Sequence, residues 1–156
     1  MLDDDIGMLQ ELENRFRIRG WITSGYSDID TFESQELSNE IPTVFIIDHD
    51  LGGPTVGYEV VGRIRSTRAD GLAVPIIYLT GRESERGFLE KRLDQPSLRP
   101  SSFVNKNQLA SIDLLKICDE LLSHYRTVLQ VERNQTLRRA INRISNVQYS
   151  DEEDMI

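Results

Sequence analysis

The stretch VFIIDHDLGG, residues Val44 to Gly53, decides the fold of this chain. A run of apolar residues leads directly into Asp48, and a second aspartate, Asp50, precedes a pair of glycines. A short apolar run that ends in turn-forming residues is typical of a buried strand in a parallel sheet. Such a strand places Asp48 at its carboxyl end. Taken alone, the stretch leaves open whether Asp48 is a nucleophile, a metal ligand or only the polar end of a strand.

Predicted strands and helices alternate on both sides of this stretch. Residues 5–18 and 57–67 have apolar residues at helical spacing, and residues 74–79 form a second apolar strand. We further predict short strands at 21–23 and 102–104, a weak helix or a loop at 25–39, helices at 83–93 and from Leu109, and a loop between the last two. This alternation predicts one α/β domain whose parallel sheet is covered on both faces.

The composition narrows the classes of function. The chain has 156 residues and a net charge of -8, which argues against sequence-independent binding to nucleic acid or to an anionic membrane. Its single cysteine, Cys118, lies in an apolar helical pattern and is predicted to be a buried thiol in a reducing compartment. No apolar run approaches the length of a membrane span. We therefore expect a cytoplasmic protein with no direct nucleic-acid or membrane partner.

Polar residues follow the predicted strands at the edge where ligands bind in parallel sheets. They are the acids at 3 to 5, Asp48, Thr80 and Lys106. Clustered carboxylates suit Mg²⁺ better than a softer metal, and a lysine with a hydroxyl can contact phosphoryl oxygens. An aspartate can itself accept a phosphoryl group as an acyl phosphate. The set therefore predicts phosphoryl chemistry with Mg²⁺ at this edge.

These residues carry a family resemblance. Asp3-Asp4, Asp48 in FIIDHDL, Gly57 in GYEVV, Thr80 in PIIYLTG and Lys106 in FVNK occur in the order and spacing of a receiver domain. The chain thus resembles the CheY-like receiver domains of response regulators in two-component signalling, over residues 1 to about 125. The resemblance implies a flavodoxin-like fold, a doubly wound five-stranded parallel sheet in the order 2-1-3-4-5.

The resemblance also implies a role for each matching residue. Asp48 would accept a phosphoryl group from a sensor histidine kinase or a phosphotransfer protein, and the phosphorylated domain would act on a downstream protein target. The implied Mg²⁺ ligands are Asp3, Asp4, Asp48 and the backbone carbonyl of Asp50. The implied phosphate contacts are Thr80, Gly81 and Lys106, and the implied switch residues are Thr80 and Phe103. Such a domain is a phosphoprotein and not an enzyme, apart from self-dephosphorylation.

Three departures from the family pattern have structural consequences. Asn107 follows Lys106 where the family usually has a proline in a cis peptide bond, so we expect a trans bond with a shifted loop, or strain. Leu51-Gly52 replaces the usual Leu-Pro. The first strand is short or truncated, because only Met1-Leu2 precede the acids. We also predict that Asp50 and Arg82 face each other as a gate at the pocket entrance.

Two alternatives remain open. The DHD sequence after an apolar strand also resembles haloacid-dehalogenase phosphatases, in which Asp48 would be the nucleophile and Asp50 the general acid. Asp3 and Asp4 would then have no role. The second alternative is a receiver-like interaction module that is never phosphorylated.

The C-terminal helix extends beyond the usual end of a receiver domain. Its apolar residues recur in steps of three and four, which is typical of a coiled-coil seam; they are Leu115, Cys118, Leu122, Tyr125 and Leu129, and later Leu137, Ile141 and Ile144. We predict a receiver domain at 1–125, a helical extension at 126–148 and a disordered acidic tail at 149–156. The extension could form a homodimer.

Overall fold

The computed structural model describes residues 1–39, 41, 43–81, 91, 100–110 and 112–153, with side chains as far as residue 140. The predicted helix at 83–93 lies outside this part of the chain, apart from residue 91. The described elements are, in chain order, α1 (Ile6–Ile18), α2 (Ile29–Glu36), β1 (Phe45–Asp48), α3 (Gly57–Thr67), β2 (Ile76–Thr80), β3 (Ser102–Asn105), a 3₁₀ helix (Lys106–Gln108) and α4 (Leu114–Glu153).

The three strands form a parallel sheet in the order β1-β2-β3. Leu2 extends it by one residue, since it makes parallel bridges to Ile47 of β1 and to Tyr26. The pairing order from edge to edge is therefore Tyr26, Leu2, β1, β2 and β3, which matches the positions predicted for strands 2-1-3-4-5. Within the described residues the positions of strands 2 and 1 are single-residue bridges, at Tyr26 and Leu2, so the α/β class is confirmed and five strands are not.

The first helix ends in a way that moves the predicted strand at 21–23. Gly20 has a positive φ of 84°, and the Trp21 backbone N–H donates to the Phe16 carbonyl oxygen, closing the last turn. The Trp21 ring then packs edge-to-face on Phe16 with 5.7 Å between ring centroids. Trp21 thus belongs to the end of α1. The strand predicted at 21–23 is wrong, and after α1 the chain returns to the sheet at Tyr26.

The helices cover the sheet on both faces. On one face, α1 and the beginning of α4 pack over a core that includes Leu12, Phe16, Ile46, Ile77, Leu79, Val104, Leu114 and Cys118. On the other face, α2 and α3 pack over Phe32, Phe45, Ile47, Val60, Val61, Ile64, Ile76 and Tyr78. Alternate residues of β1 and β2 enter opposite cores, as the two-residue period of a strand requires. Cys118 is buried as predicted, and burial raises the pKa of its thiol to about 12.

The C-terminal helix begins at Leu114 and not at the predicted Leu109, and the Asp113 side chain caps it by accepting from the Lys116 N–H at 3.1 Å. Tyr125 is buried and its hydroxyl donates to Asp70, whose carboxylate also holds Arg68 at 2.8 Å. This network ties α4 to the loop that follows α3. The helix continues to Glu153 without a break at 125 or 148, so the boundaries assigned there stay predictions. None of the described helices is long and apolar enough to cross a membrane.

Candidate functional site

The ends of the parallel strands bring the predicted residues to one edge of the sheet. Asp48 ends β1, Thr80 ends β2, and Lys106 directly follows β3. Leu2 is hydrogen-bonded into the sheet through the Ile46 carbonyl oxygen and the Asp48 backbone N–H, each at 2.9 Å. This short pairing places the following acids beside Asp48.

Three carboxylates converge at this edge. Asp3, Asp4 and Asp48 each have an oxygen within 4.8 Å of the other two, with Asp3 and Asp48 buried and Asp4 exposed. Asp5 is separate from this cluster, because it caps α1 by accepting a hydrogen bond from the Met8 N–H at 3.0 Å. The three oxygens fit a hard divalent cation such as Mg²⁺, which binds carboxylates and retains several waters.

Gly52 makes room for the exposed carboxylate. Its φ is 68°, a conformation that favours glycine, and a Cβ at this position would lie 2.7 Å from Asp4 Oδ2. The departure from the family's Leu-Pro thus has a steric reason here, since the loop after β1 turns tightly over Asp4.

Lys106 links the two buried carboxylates. Its Nζ lies 2.8 Å from Asp3 Oδ2 and 2.9 Å from Asp48 Oδ2. Burial alone would lower the pKa of Lys106, but the hydrogen bonds to Asp3 and Asp48 outweigh burial and raise it. Lys106 therefore stays charged at neutral pH.

The pocket disfavours the charged form of Asp48. Only 2% of Asp48 remains exposed. This burial and the charge of Asp3 raise the pKa of Asp48 from 3.8 to about 6, although the hydrogen bond and charge of Lys106 act to lower it. At neutral pH Asp48 is still mostly ionised and so can act as a nucleophile or a ligand. Among the described residues of this pocket one ammonium faces three carboxylates, and a divalent cation would offset their excess negative charge.

The loop after Asp48 returns closely over the end of β1. The Gly57 N–H donates to the His49 carbonyl oxygen at 2.9 Å, and Asp50 forms an isolated antiparallel β-bridge with Val56. A Cβ on Gly57 would lie 2.0 Å from the Asp48 carbonyl oxygen. Glycine is therefore required at the start of α3, which explains why it belongs to the sequence pattern.

The segment around Lys106 is held without a cis bond. The bond between Lys106 and Asn107 is trans, one of the two outcomes predicted for the missing proline. The Asn105 side chain accepts from the Asn107 backbone N–H at 2.9 Å, and Asn107 Nδ2 donates to the Gly81 carbonyl oxygen at 3.3 Å. These two asparagines join the loop after β2 to the loop after β3, and thereby bring Gly81 next to the lysine segment.

Thr80 and Phe103 occupy neighbouring strands. Thr80 is buried and pairs in register with Asn105, whereas Phe103 is half-buried and pairs with Tyr78. Asp50 is exposed. Arg82 lies outside the described residues, so the predicted gate between Asp50 and Arg82 stays a prediction.

Sequence reasoning missed one pair behind the pocket. His49, to which the sequence analysis assigns no role, is buried, and its Nδ1 shares a 2.6 Å hydrogen bond with the Tyr78 hydroxyl. A tyrosine in an otherwise aliphatic buried strand needs a polar partner, which was the available signal.

The chain is similar to solved structures of other proteins. No family model and no curated protein sequence matches the chain. Among solved structures, an adenylate cyclase from Rhodopirellula baltica superposes with a TM-score of 0.70 at 18% identity, covering 86% of this chain and 93% of that one.

A CheY-like receiver domain protein from Methanospirillum hungatei superposes with a TM-score of 0.62 at 18% identity, covering 81% and 93% of the two chains. A Burkholderia pseudomallei response regulator with a phosphorylated aspartic acid and a calcium ion gives 0.59 at 17% identity, covering 84% and 69%. The similar solved structures are mostly response-regulator receiver domains. The chain therefore has the flavodoxin-like α/β fold that these receiver domains share.

Proposed function

We propose that this chain is a stand-alone response regulator in which Asp48 accepts a phosphoryl group. The observation that carries the proposal is the contact of Lys106 with both Asp3 and Asp48 at hydrogen-bonding distance, inside a group of three carboxylates. The receiver fold supports it, because in that fold this edge of the sheet is the ligand-binding edge.

The pocket supplies what phosphoryl transfer needs from protein groups. An ionised Asp48 oxygen attacks the phosphorus of a phosphohistidine, the P–N bond breaks, and the leaving imidazole takes up a proton. The product is an acyl phosphate on Asp48. Lys106 neutralises part of the charge that the phosphoryl oxygens bring into the pocket, and the Thr80 hydroxyl and the Gly81 backbone provide further contacts.

Mg²⁺ is the proposed cofactor, held by Asp3, Asp4 and Asp48 with the backbone carbonyl of Asp50. When bound, it would neutralise charge on the transferring phosphoryl group. The proximity of the three carboxylates supports this proposal, and so does the space that Gly52 leaves for Asp4.

The placement of Asp3 and Asp4 favours a receiver over the phosphatase alternative. In a haloacid-dehalogenase enzyme these two acids would have no role, whereas here they lie against Asp48. A sensor histidine kinase or phosphotransfer protein is the proposed donor, a further protein the proposed target, and the cytoplasm the proposed compartment. The proposed domain has no turnover beyond self-dephosphorylation.

The test uses a small phosphodonor. The full chain is incubated with acetyl phosphate, with and without Mg²⁺, and separated on a phosphate-affinity gel. We expect a Mg²⁺-dependent, acid-stable and base-labile slow band in the wild type and in Asp50→Asn, and no such band in Asp48→Asn. No band together with no Mg²⁺ binding would favour the unphosphorylated interaction module. Steady hydrolysis of p-nitrophenyl phosphate that requires Asp50 would favour the phosphatase.

We also propose that α4 forms a homodimer. Among the α4 residues whose side chains are described, Leu129 is the last one packed on the core, and the helix runs on to Glu153, about 36 Å at 1.5 Å per residue. Val131 and Leu137 on this part are about half exposed. Helices in proteins are stabilised mostly by the packing of an apolar face, and a second copy along the apolar seam of α4 would supply that packing.

Light scattering after gel filtration tests this second proposal. The wild type should have the molar mass of two chains, and the Leu137→Glu variant should have the molar mass of one chain. Gln135→Glu adds the same charge at an exposed position of the helix and should leave the dimer intact. A monomeric wild type at high concentration would contradict the proposal.

A further inference from the structure

His49 and Tyr78 form a buried polar pair directly behind the acceptor pocket. Tyr78 has no exposed surface and His49 is 8% exposed, and the 2.6 Å hydrogen bond joins His49 Nδ1 to the Tyr78 hydroxyl. The Tyr78 hydroxyl is therefore hydrogen-bonded to the residue that follows Asp48.

The backbone of His49 is also fixed on both sides. Its N–H donates to the Leu79 carbonyl oxygen and its carbonyl oxygen accepts from the Gly57 N–H, each at 2.9 Å. A displacement of Asp48 must therefore move His49 together with its hydrogen-bond partners, because residues adjacent in the chain share a peptide plane.

The hydroxyl of Tyr78 contacts His49, whereas its ring contacts Phe103. It packs edge-to-face on Phe103, with 5.8 Å between centroids and 69° between ring planes, and the two residues are partners across β2 and β3. The space around Tyr78 is filled, since even a Cβ on Gly57 would lie 3.1 Å from its Cε2 atom. In a close-packed interior, a shift of the Tyr78 ring has to be taken up by the half-buried Phe103.

We propose that Tyr78 is a positioning residue that couples Asp48 to Phe103: its hydroxyl holds His49 beside the acceptor, and its ring sets the packing of Phe103. The proposal rests on the proposed function and adds a route through the sheet from the acceptor to the aromatic side chain. A phosphoryl group adds charge and volume at Asp48, displaces the chain at His49, and so repacks Phe103 through Tyr78.

The test observes both ends of this route in one sample. The full chain is labelled with 4-fluorophenylalanine, and the Phe103 signal in the ¹⁹F spectrum is assigned by its loss in Phe103→Leu. Beryllium fluoride with Mg²⁺ serves as the phosphoryl mimic, and its protein-bound fluorine signal reports occupancy of Asp48 independently of Phe103. In the wild type we expect the bound fluoride signal and a shift of the Phe103 signal.

Tyr78→Phe removes the hydroxyl and keeps the ring. We expect this variant to bind the mimic and to lose the Phe103 shift. His49→Leu removes the other half of the hydrogen bond and should lose the shift as well, which keeps the test decisive if one variant does not fold. Tyr26→Phe is the matched control. It removes a hydroxyl that lies away from the pocket and donates to Glu36 Oε1 at 2.7 Å, so this variant should keep the shift.

The outcomes separate the two proposals. If Tyr78→Phe and His49→Leu bind the mimic fully and still show the Phe103 shift of the wild type, the coupling is overturned. The proposed acceptor role of Asp48 then stands. Absence of any bound mimic in the wild type would instead overturn the proposed function, and the coupling with it. Loss of the shift in the Tyr26→Phe control would show that any missing hydroxyl has this effect, and would also overturn the coupling.

Discussion

Replacing Asp48 with asparagine should stabilise the metal-free protein at neutral pH. The carboxylate is buried beside Asp3, and these two influences raise its pKa to about 6 against 3.8 in an exposed chain. Asparagine has nearly the same shape as a protonated aspartic acid but carries no charge. It thereby removes the cost of keeping a charged carboxylate in this pocket.

The magnitude follows from the two pKa values. At about 1.4 kcal/mol for each pH unit, the difference between 3.8 and about 6 corresponds to about 3 kcal/mol at pH 7. The amide also gives up the ion pair in which Lys106 lies 2.9 Å from Asp48, although Lys106 retains Asp3. We therefore expect Asp48→Asn to raise the free energy of unfolding by about 1–3 kcal/mol at neutral pH.

The pH dependence identifies the cause. Because the folded-state pKa of Asp48 is raised, folding favours the protonated form, and this contribution to stability is complete below about pH 4 and lost as the pH rises through about 6. The variant has no such loss. The difference in stability between Asp48→Asn and the wild type should therefore be largest at pH 7.5 and shrink towards pH 4.5.

The assay is urea unfolding in EDTA, followed by circular dichroism at several pH values between 4.5 and 7.5. Asp30→Asn, at an exposed position of α2, serves as the control for removing one negative charge from an acidic chain. The reasoning would be refuted if Asp48→Asn were less stable than the wild type at pH 7.5. A stability difference that did not change with pH would refute it as well.

Three further substitutions test packing, two in the loop and helix start beside the site and one on α4. Gly57→Ala should lower the free energy of unfolding by about 3 kcal/mol or more, because its Cβ would lie 2.0 Å from the Asp48 carbonyl oxygen. Gly53→Ala, whose Cβ would come no nearer than 4.0 Å, should change it by less than about 0.5 kcal/mol. Tyr125→Phe should cost about 1–2 kcal/mol by removing the hydrogen bond to Asp70 that anchors α4. Urea midpoints measure all three, and an unchanged midpoint in Gly57→Ala or Tyr125→Phe would contradict these contacts.

The parts of the fold that the sequence predicts are those with strong periodicity. Asp48, Thr80 and Lys106 could be placed together because parallel strands end at the same edge, and the apolar strands themselves were unambiguous. The first strand was expected to be short, and the structure reduces it to a single bridged residue, Leu2, whose extent no periodic pattern could fix. The strand predicted around Trp21 failed because Gly20 folds the chain back and the Trp21 ring packs edge-to-face on Phe16.

Within the site, the missed residues are those whose role depends on side-chain direction. The contact between His49 and Tyr78 joins two residues 29 positions apart, and no spacing rule predicts it. The asparagines at 105 and 107 likewise act through hydrogen bonds across two loops, where the family pattern provides a proline. Local sequence reports the residue types at a strand end but not which pairs of polar atoms meet.

The most direct test of the central claim is to locate the phosphoryl group. The full chain is treated with acetyl phosphate and Mg²⁺, and the product is reduced with borohydride, which converts an acyl phosphate of aspartate into homoserine. Peptide mass spectrometry then reads the position of the modified residue. We predict homoserine at position 48 in the Mg²⁺-treated wild type, and none when Mg²⁺ is omitted. Homoserine at another aspartate, or at no position in a correctly folded chain, would contradict the assignment of Asp48 as the acceptor.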